Sequence, residues 1–126
     1  HGTRLARFIP EGTPIGWYQV HYDDESHETI PLVYGEDLRH WFNRDQSKAV
    51  TRGKVAWEGT NPDAAAQNLT IRLYVTMWKN PYPEKKVRSI DFISANTEAT
   101  PFCVAMTVEE AGGPSGTEDA LDSLPK

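Results

Sequence analysis

Hydrophobic and polar positions alternate most regularly between Ile71 and Val108, where three runs with a period of two are separated by two breaks. The first, Ile71 to Trp78, sets Ile71, Leu73, Val75 and Met77 against Arg72, Tyr74, Thr76 and Trp78, and predicts a strand that buries its aliphatic side. The second, Val87 to Ser94, and the third, Phe102 to Val108, carry the β-branched and aromatic residues that fit a pleated, half-buried surface. Asn80-Pro81-Tyr82-Pro83 and Thr100-Pro101 are expected to interrupt the ladder, because proline offers no backbone donor. These runs are expected to organise the chain as its sheet core, and the core residues predicted from them are Ile71, Leu73, Val75, Ile90, Phe92, Phe102, Val104 and Met106.

Upstream, residues 1 to 14 mix Leu5, Phe8 and Ile9 with two prolines and Gly12, which suits a short edge strand followed by a turn. Ile15 to Tyr22 reads as a strand, Asp23 to Ser26 as a turn of residues that bond their own backbone, and Glu28 to Tyr34 as the return strand of a hairpin. Pro31 requires that strand to lie at an edge or carry a bulge. From Gly35 to Phe42 the alternation stops, and Leu38, Trp41 and Phe42 fall at helical spacing behind a capping Asp37, so one helical turn is expected there. Lys54 to Trp57 is a further short strand ending at Glu58-Gly59, and Thr60 to Asn68 a loop holding one helical turn.

Six strands and two marginal ones, with no helix long enough to cover a sheet face, predict an all-β fold: an antiparallel two-sheet β-sandwich of the jelly-roll kind. Residues 1–109 make one domain. Residues 110–126, rich in Gly, Ser, Pro and acids, hold too little apolar surface to offset the entropy of ordering and are expected to form a flexible tail.

Charge narrows the functional classes. Thirteen Lys and Arg against eighteen Asp and Glu give a net charge of −5, which argues against nucleic acid and anionic membrane as partners. No stretch reaches the roughly 18 apolar residues of a membrane span. The lone Cys103 excludes an internal disulfide and a Cys-rich zinc site, and sits in an apolar run as a small core residue. An opening at His1, without methionine or leader, is what an excised domain would show.

Several ordered phrases then carry a resemblance: Ile15-Gly16 into Tyr18-Gln19-Val20-His21-Tyr22, Ile30-Pro31-Leu32-Val33-Tyr34-Gly35-Glu36-Asp37, Ala56-Trp57, Ile71-Arg72-Leu73-Tyr74, Trp78-Lys79-Asn80-Pro81 and Ser89-Ile90-Asp91-Phe92-Ile93-Ser94. Across residues 13 to 108 the chain resembles the galactose-binding-domain-like jelly-roll modules appended to secreted and envelope proteins of bacteria. The resemblance implies a two-sheet antiparallel sandwich in an accessory role and an extracytoplasmic location. It transfers no ligand residue, since that fold hosts sugar binders, protein binders and structural modules alike.

Candidate chemistry is sparse. No paired acids, nucleophile with base, or metal cluster is marked, so neither an enzyme nor a cofactor is expected. His21 and His27 flanking Asp23, Asp24 and Glu25 have donors for a mixed metal site, against which a solvated hairpin turn is the simpler reading. Trp17, Trp57, Trp78 and Tyr82 could stack on a pyranose, though each single tryptophan is more readily a core residue. Two segments stand out as ligand-binding. One is the proline-stiffened loop with Trp78, Asn80 and Tyr82; the other is the connection holding Glu36, Asp37, Arg39, His40 and Trp41, the mixture that polar ligands require. Asn68-Leu69-Thr70 fits the glycosylation acceptor pattern. The sequence therefore points to a non-catalytic recognition or attachment module of a larger exported bacterial protein, binding carbohydrate or an envelope protein. A purely structural domain packed on a neighbour is the alternative, and a small enzyme a distant third.

Overall fold

A computed structural model describes residues 1–44 and 48–110; the tail expected over residues 110–126 therefore lies, apart from Glu110, outside the described residues. The fold is mostly β. Its strands are β1 (Gly2–Leu5), β2 (Pro14–Tyr22), β3 (His27–Val33), β4 (Lys54–Gly59), β5 (Ile71–Val75), β6 (Val87–Ser94) and β7 (Ala99–Phe102), with one five-residue helix, α1 (Pro62–Ala66), between β4 and β5. All pairings within the sheets are antiparallel: β3-β2-β6 in one sheet, β1 with β7 in a second, and β4 with β5 in a third.

The central strand is β2, and its alternation explains why. Tyr18, Val20 and Tyr22 point to one face and are buried, while Trp17, Gln19 and His21 point to the other and are partly exposed. Gly16 allows a close approach to β6, since a Cβ there would lie 2.6 Å from the carbonyl oxygen of Ile93. A register shift between Pro14 and Gly16 releases Ile15 from the ladder, and its side chain is fully buried. The β2–β3 turn forms as its composition predicts, with the Asp24 carboxylate accepting the Ser26 amide at 2.9 Å. Pro31 sits opposite Trp17 in β3, the edge of its sheet, where a missing donor is tolerated.

Hydrogen bonds outside these ladders connect the remaining pieces. The Trp41 amide donates to the Thr3 carbonyl of β1, and the Trp41 carbonyl accepts the Arg72 amide of β5, each at 2.8 Å. The Asn43 amide donates to the carbonyl of Thr70, just before β5, at 2.9 Å. Residues 40 to 43 thus run as an irregular extended segment between β1 and β5. The core gathers Ile9, Ile15, Tyr18, Leu32, Leu38, Tyr74 and Ala99, with Ile90 and Phe92 packed against it.

Four expectations are corrected. The stretch from Ile71 to Val108 does not organise the chain, because β5 pairs only with β4 and the third run leaves the ladder after Phe102. Beyond Phe102 no neighbouring strand among the described residues receives the chain, and Val104 and Met106, placed in the core from their alternation, are 61% and 46% exposed. Thr100 and Pro101 lie inside β7 rather than breaking it, because β7 pairs only with β1 and a strand with one free edge accommodates proline. In β5 Ile71 is buried as expected, but the other buried residue is Tyr74, from the side expected to be wet, while Leu73 and Val75 are only half-buried. The hairpin, β4, β6, α1 and the near absence of helix match their expectations.

Leu38→Ala should cost about 2–5 kcal/mol, since the side chain is wholly buried in the core cluster, whereas Val104→Ala should stay within about 0.5 kcal/mol. Urea unfolding of the two variants checks this; equal losses would restore Val104 to the core.

Candidate functional site

Residues 34 to 44 build the more promising of the two candidate segments. After β3 the chain reverses at Gly35, whose φ of 88° lies in the left-handed region. The Gly35 amide then donates to the Leu38 carbonyl and the Asp37 amide to that of Val33, at 2.8 and 2.9 Å. The helical turn expected here is replaced by this tight turn, and the carboxylate read as a helix cap faces inward instead.

Asp37 is 0% exposed, and both its oxygens are engaged. One accepts the Val33 amide at 2.7 Å and an Arg52 Nη2 donor; the other accepts Arg52 Nε at 2.7 Å and the Thr76 hydroxyl at 3.1 Å. A buried carboxylate is tolerated when its lone pairs are met in this way, and none is left for a ligand. The same bond raises the Arg52 pKa above its usual value. Arg39 is likewise held within the fold, by Glu11, by two donations to the Ala49 carbonyl and by a position 5.9 Å from the Tyr34 ring. The Glu36 carbonyl accepts the amides of Arg52 and Gly53.

His40 and Trp41 behave differently. Together with Phe42 they line a cleft of about 430 Å³, closed on other sides by Arg4, Arg44, Asp63 and Gln67. Trp41 and Phe42 stack almost parallel, with ring centroids 5.3 Å apart and planes 7° apart, and His40 stacks on Phe42 at 5.6 Å. Phe102 meets Trp41 edge-on at 5.8 Å and fixes its rear. The Phe42 amide donates to His40 Nδ1 at 3.0 Å. Since an amide can only donate, Nδ1 is the acceptor and the neutral ring carries its proton on Nε2. Burial, and then the guanidiniums of Arg44 and Arg4, hold the His40 pKa below its ordinary value.

The second segment closes on its own protein. Asn80 Oδ1 accepts the Tyr22 hydroxyl at 2.6 Å and the Tyr82 amide at 2.9 Å. Tyr82 meets the Tyr22 ring edge-on, and Lys85 lies 4.4 Å from the Tyr82 centroid while pairing with Asp24 at 2.9 Å and donating to Ser26. This network fastens the loop to the β2–β3 turn; Asp24, bonded first by Ser26 and then by Lys85, is held well below the usual carboxylate range. Trp78 is partly buried.

The structure therefore brings His40 and Trp41 into one cleft, separates them from Tyr82, Asn80 and Trp78, and takes Asp37 out of reach. Arg4, Arg44 and Gln67 are cleft residues that sequence spacing did not suggest; the pairing of Thr3 with His40 brings Arg4 there, and Gln67 comes from the end of α1. His21 and His27 have ring centroids 6.3 Å apart, and His21 Nε2 bonds Asp91 at 2.8 Å. Among the described residues, no three His, Cys, Asp or Glu side chains gather as a metal ion would require. No described helix is long and apolar enough to cross a membrane.

The lowered His40 pKa has a signed consequence. The folded protein resists protonating this ring, so its stability is full above about pH 6.5, falls as the pH drops through that value toward the folded pKa, and levels off below it. His40→Asn, which keeps an acceptor for the Phe42 amide, should flatten the stability profile over about pH 7 to 5 relative to the parent protein. A ring-proton NMR titration should place the His40 midpoint below 6.5; a midpoint above that value would contradict the assigned environment.

Neither a known protein family, nor a curated protein, nor a solved structure matches this chain.

Proposed function

We propose that the domain is a non-catalytic recognition module of a larger exported bacterial protein and binds saccharide in the cleft beside His40, Trp41 and Phe42. The observation that carries this reading is the near-parallel Trp41–Phe42 stack inside a cleft whose other lining, Leu5 and Ala66 apart, is polar. An aromatic ring matches the apolar face of a pyranose, and Arg4, Arg44, Asp63 and Gln67 offer donors and acceptors of the kind that sugar hydroxyls need. The cleft volume, about 430 Å³, falls within the usual range for a small-molecule site of about 300–1,000 Å³.

The jelly-roll reading belongs with this proposal. In it, β3-β2-β6 forms one layer, and β7, β1, residues 40 to 43, β5 and β4 form the other. The bonds from Trp41 to both Thr3 and Arg72 support that grouping, as does a core that draws Tyr18 from one set and Tyr74 and Ala99 from the other. Residues 40 to 43 then belong to a layer and present the cleft at its surface. Attachment to an envelope protein is the second reading, favoured by the exposed apolar Val104, Met106 and Val108 beyond β7.

A glycan array with the whole chain, followed by calorimetry on a retained sugar, tests the primary reading. Trp41→Ala should weaken binding at least about tenfold, equivalent to about 1.4 kcal/mol, while Tyr82→Ala leaves the affinity unchanged. Circular dichroism of each variant separates lost binding from lost folding. The reverse pattern, with Tyr82 essential and Trp41 dispensable, would move the site to the loop at Asn80.

A further inference from the structure

The charges around the cleft point to a more specific ligand class, an inference that rests on the saccharide reading of the same site. The chain carries a net charge of −5, yet two arginines and a histidine converge at this one opening. Arginine on a protein surface usually finds a carboxylate, and Arg39 and Arg52 do so here with Glu11 and Asp37. Among the described residues, neither Arg4 nor Arg44 forms an ion pair, although Asp63 borders the same cleft. Arg44 instead donates to the Gln67 side-chain carbonyl at 3.1 Å and lies 5.9 Å from the Phe42 centroid. Both guanidiniums also lie near enough to oppose protonation of His40, so their fields overlap at the cleft. Among the described residues that line the cleft, two guanidiniums therefore stand against the single carboxylate of Asp63, beside an aromatic wall.

We infer that the cleft selects an acidic saccharide, with Arg4 and Arg44 receiving an anionic substituent of the sugar while Trp41 and Phe42 take its ring. The geometry of the donors favours this over a neutral glycan. A guanidinium presents a planar fork of N–H groups that matches a carboxylate or sulfate with two parallel bonds. His40 adds a neutral Nε2–H donor, which needs no protonation to contribute. An anion arriving here supplies the anionic partner that neither arginine has among the described residues, whereas a neutral hydroxyl would bring no opposing charge. Carboxylate and sulfate share this chemistry, and sugars that carry each distinguish between them.

The test measures affinity of the whole chain for tetragalacturonate, for its methyl ester, and for a κ-carrageenan oligosaccharide beside its desulfated form. The two members of each pair differ in charge while the ring system is kept. At least one charged probe should bind at least tenfold more tightly than its neutral counterpart, and this preference should shrink as salt rises. Arg4→Gln with Arg44→Gln should erase the preference, so that in this variant each charged probe binds no more tightly than its neutral counterpart. Both side chains are exposed, so their replacement leaves the core intact, which circular dichroism checks. A preference for tetragalacturonate names a carboxylate as the anion, and one for the carrageenan names a sulfate. Equal binding within both pairs would overturn the charge inference and leave the saccharide reading standing. Absence of binding to all four probes would overturn the charge inference, and absence on the neutral glycan array as well would remove the saccharide reading with it.

Discussion

The carboxylate of Asp37 is the interaction on which the rest of the structure depends. Placing a charge in a protein interior costs several kcal/mol unless every lone pair is met. Here the amide of Val33, two donors of Arg52 and the hydroxyl of Thr76 meet them. Those partners come from the end of β3, from the approach to β4 and from the residue after β5, so one side chain holds three parts of the chain in register. The turn that carries Asp37 also fixes where the following residues run. Leu38 enters the core, and residues 40 to 43 emerge between β1 and β5. The cleft is thus positioned by a group that no ligand can touch.

Period two was readable wherever a strand has one buried side and one wet side. In β2, the buried Tyr18, Val20 and Tyr22 alternate with the partly exposed Trp17, Gln19 and His21, and the hairpin with β3 follows directly. In β5 both sides are covered to some degree, so alternation could not say that Tyr74 faces inward. Beyond Phe102 the alternation persists without a neighbour among the described residues to pair with, because periodicity reports the shape a chain can adopt rather than the presence of a second strand. Between Gly35 and Phe42 the spacing of Leu38, Trp41 and Phe42 imitates a helical face. A tight turn followed by an extended segment produces the same spacing, and aspartate serves equally as a cap or as a buried hub.

The site was half legible for a related reason. His40 and Trp41 stand close together in sequence, and their mixture of polar and aromatic character marked them. Arg4 reaches the cleft only because Thr3 pairs with His40, and Gln67 only because α1 packs nearby. Such long-range neighbours leave no local trace. The loop at Tyr82 carried an equally suggestive composition, and there the aromatic and charged groups satisfy one another: Lys85 rests against Tyr82 and Tyr22 while its charge meets Asp24.

The two outer strands of the β3-β2-β6 sheet share a property with consequences beyond the isolated molecule. β3 carries Pro31, which has no hydrogen to offer a further strand, and β6 breaks register near Arg88, where Tyr22 pairs with Val87 but His21 with Ser89. Each irregularity spoils the straight, regular row of donors and acceptors that an incoming chain would need. Copies of this sheet are therefore poorly suited to zipping edge to edge, so the hairpin and its neighbour resist recruiting strands from other chains.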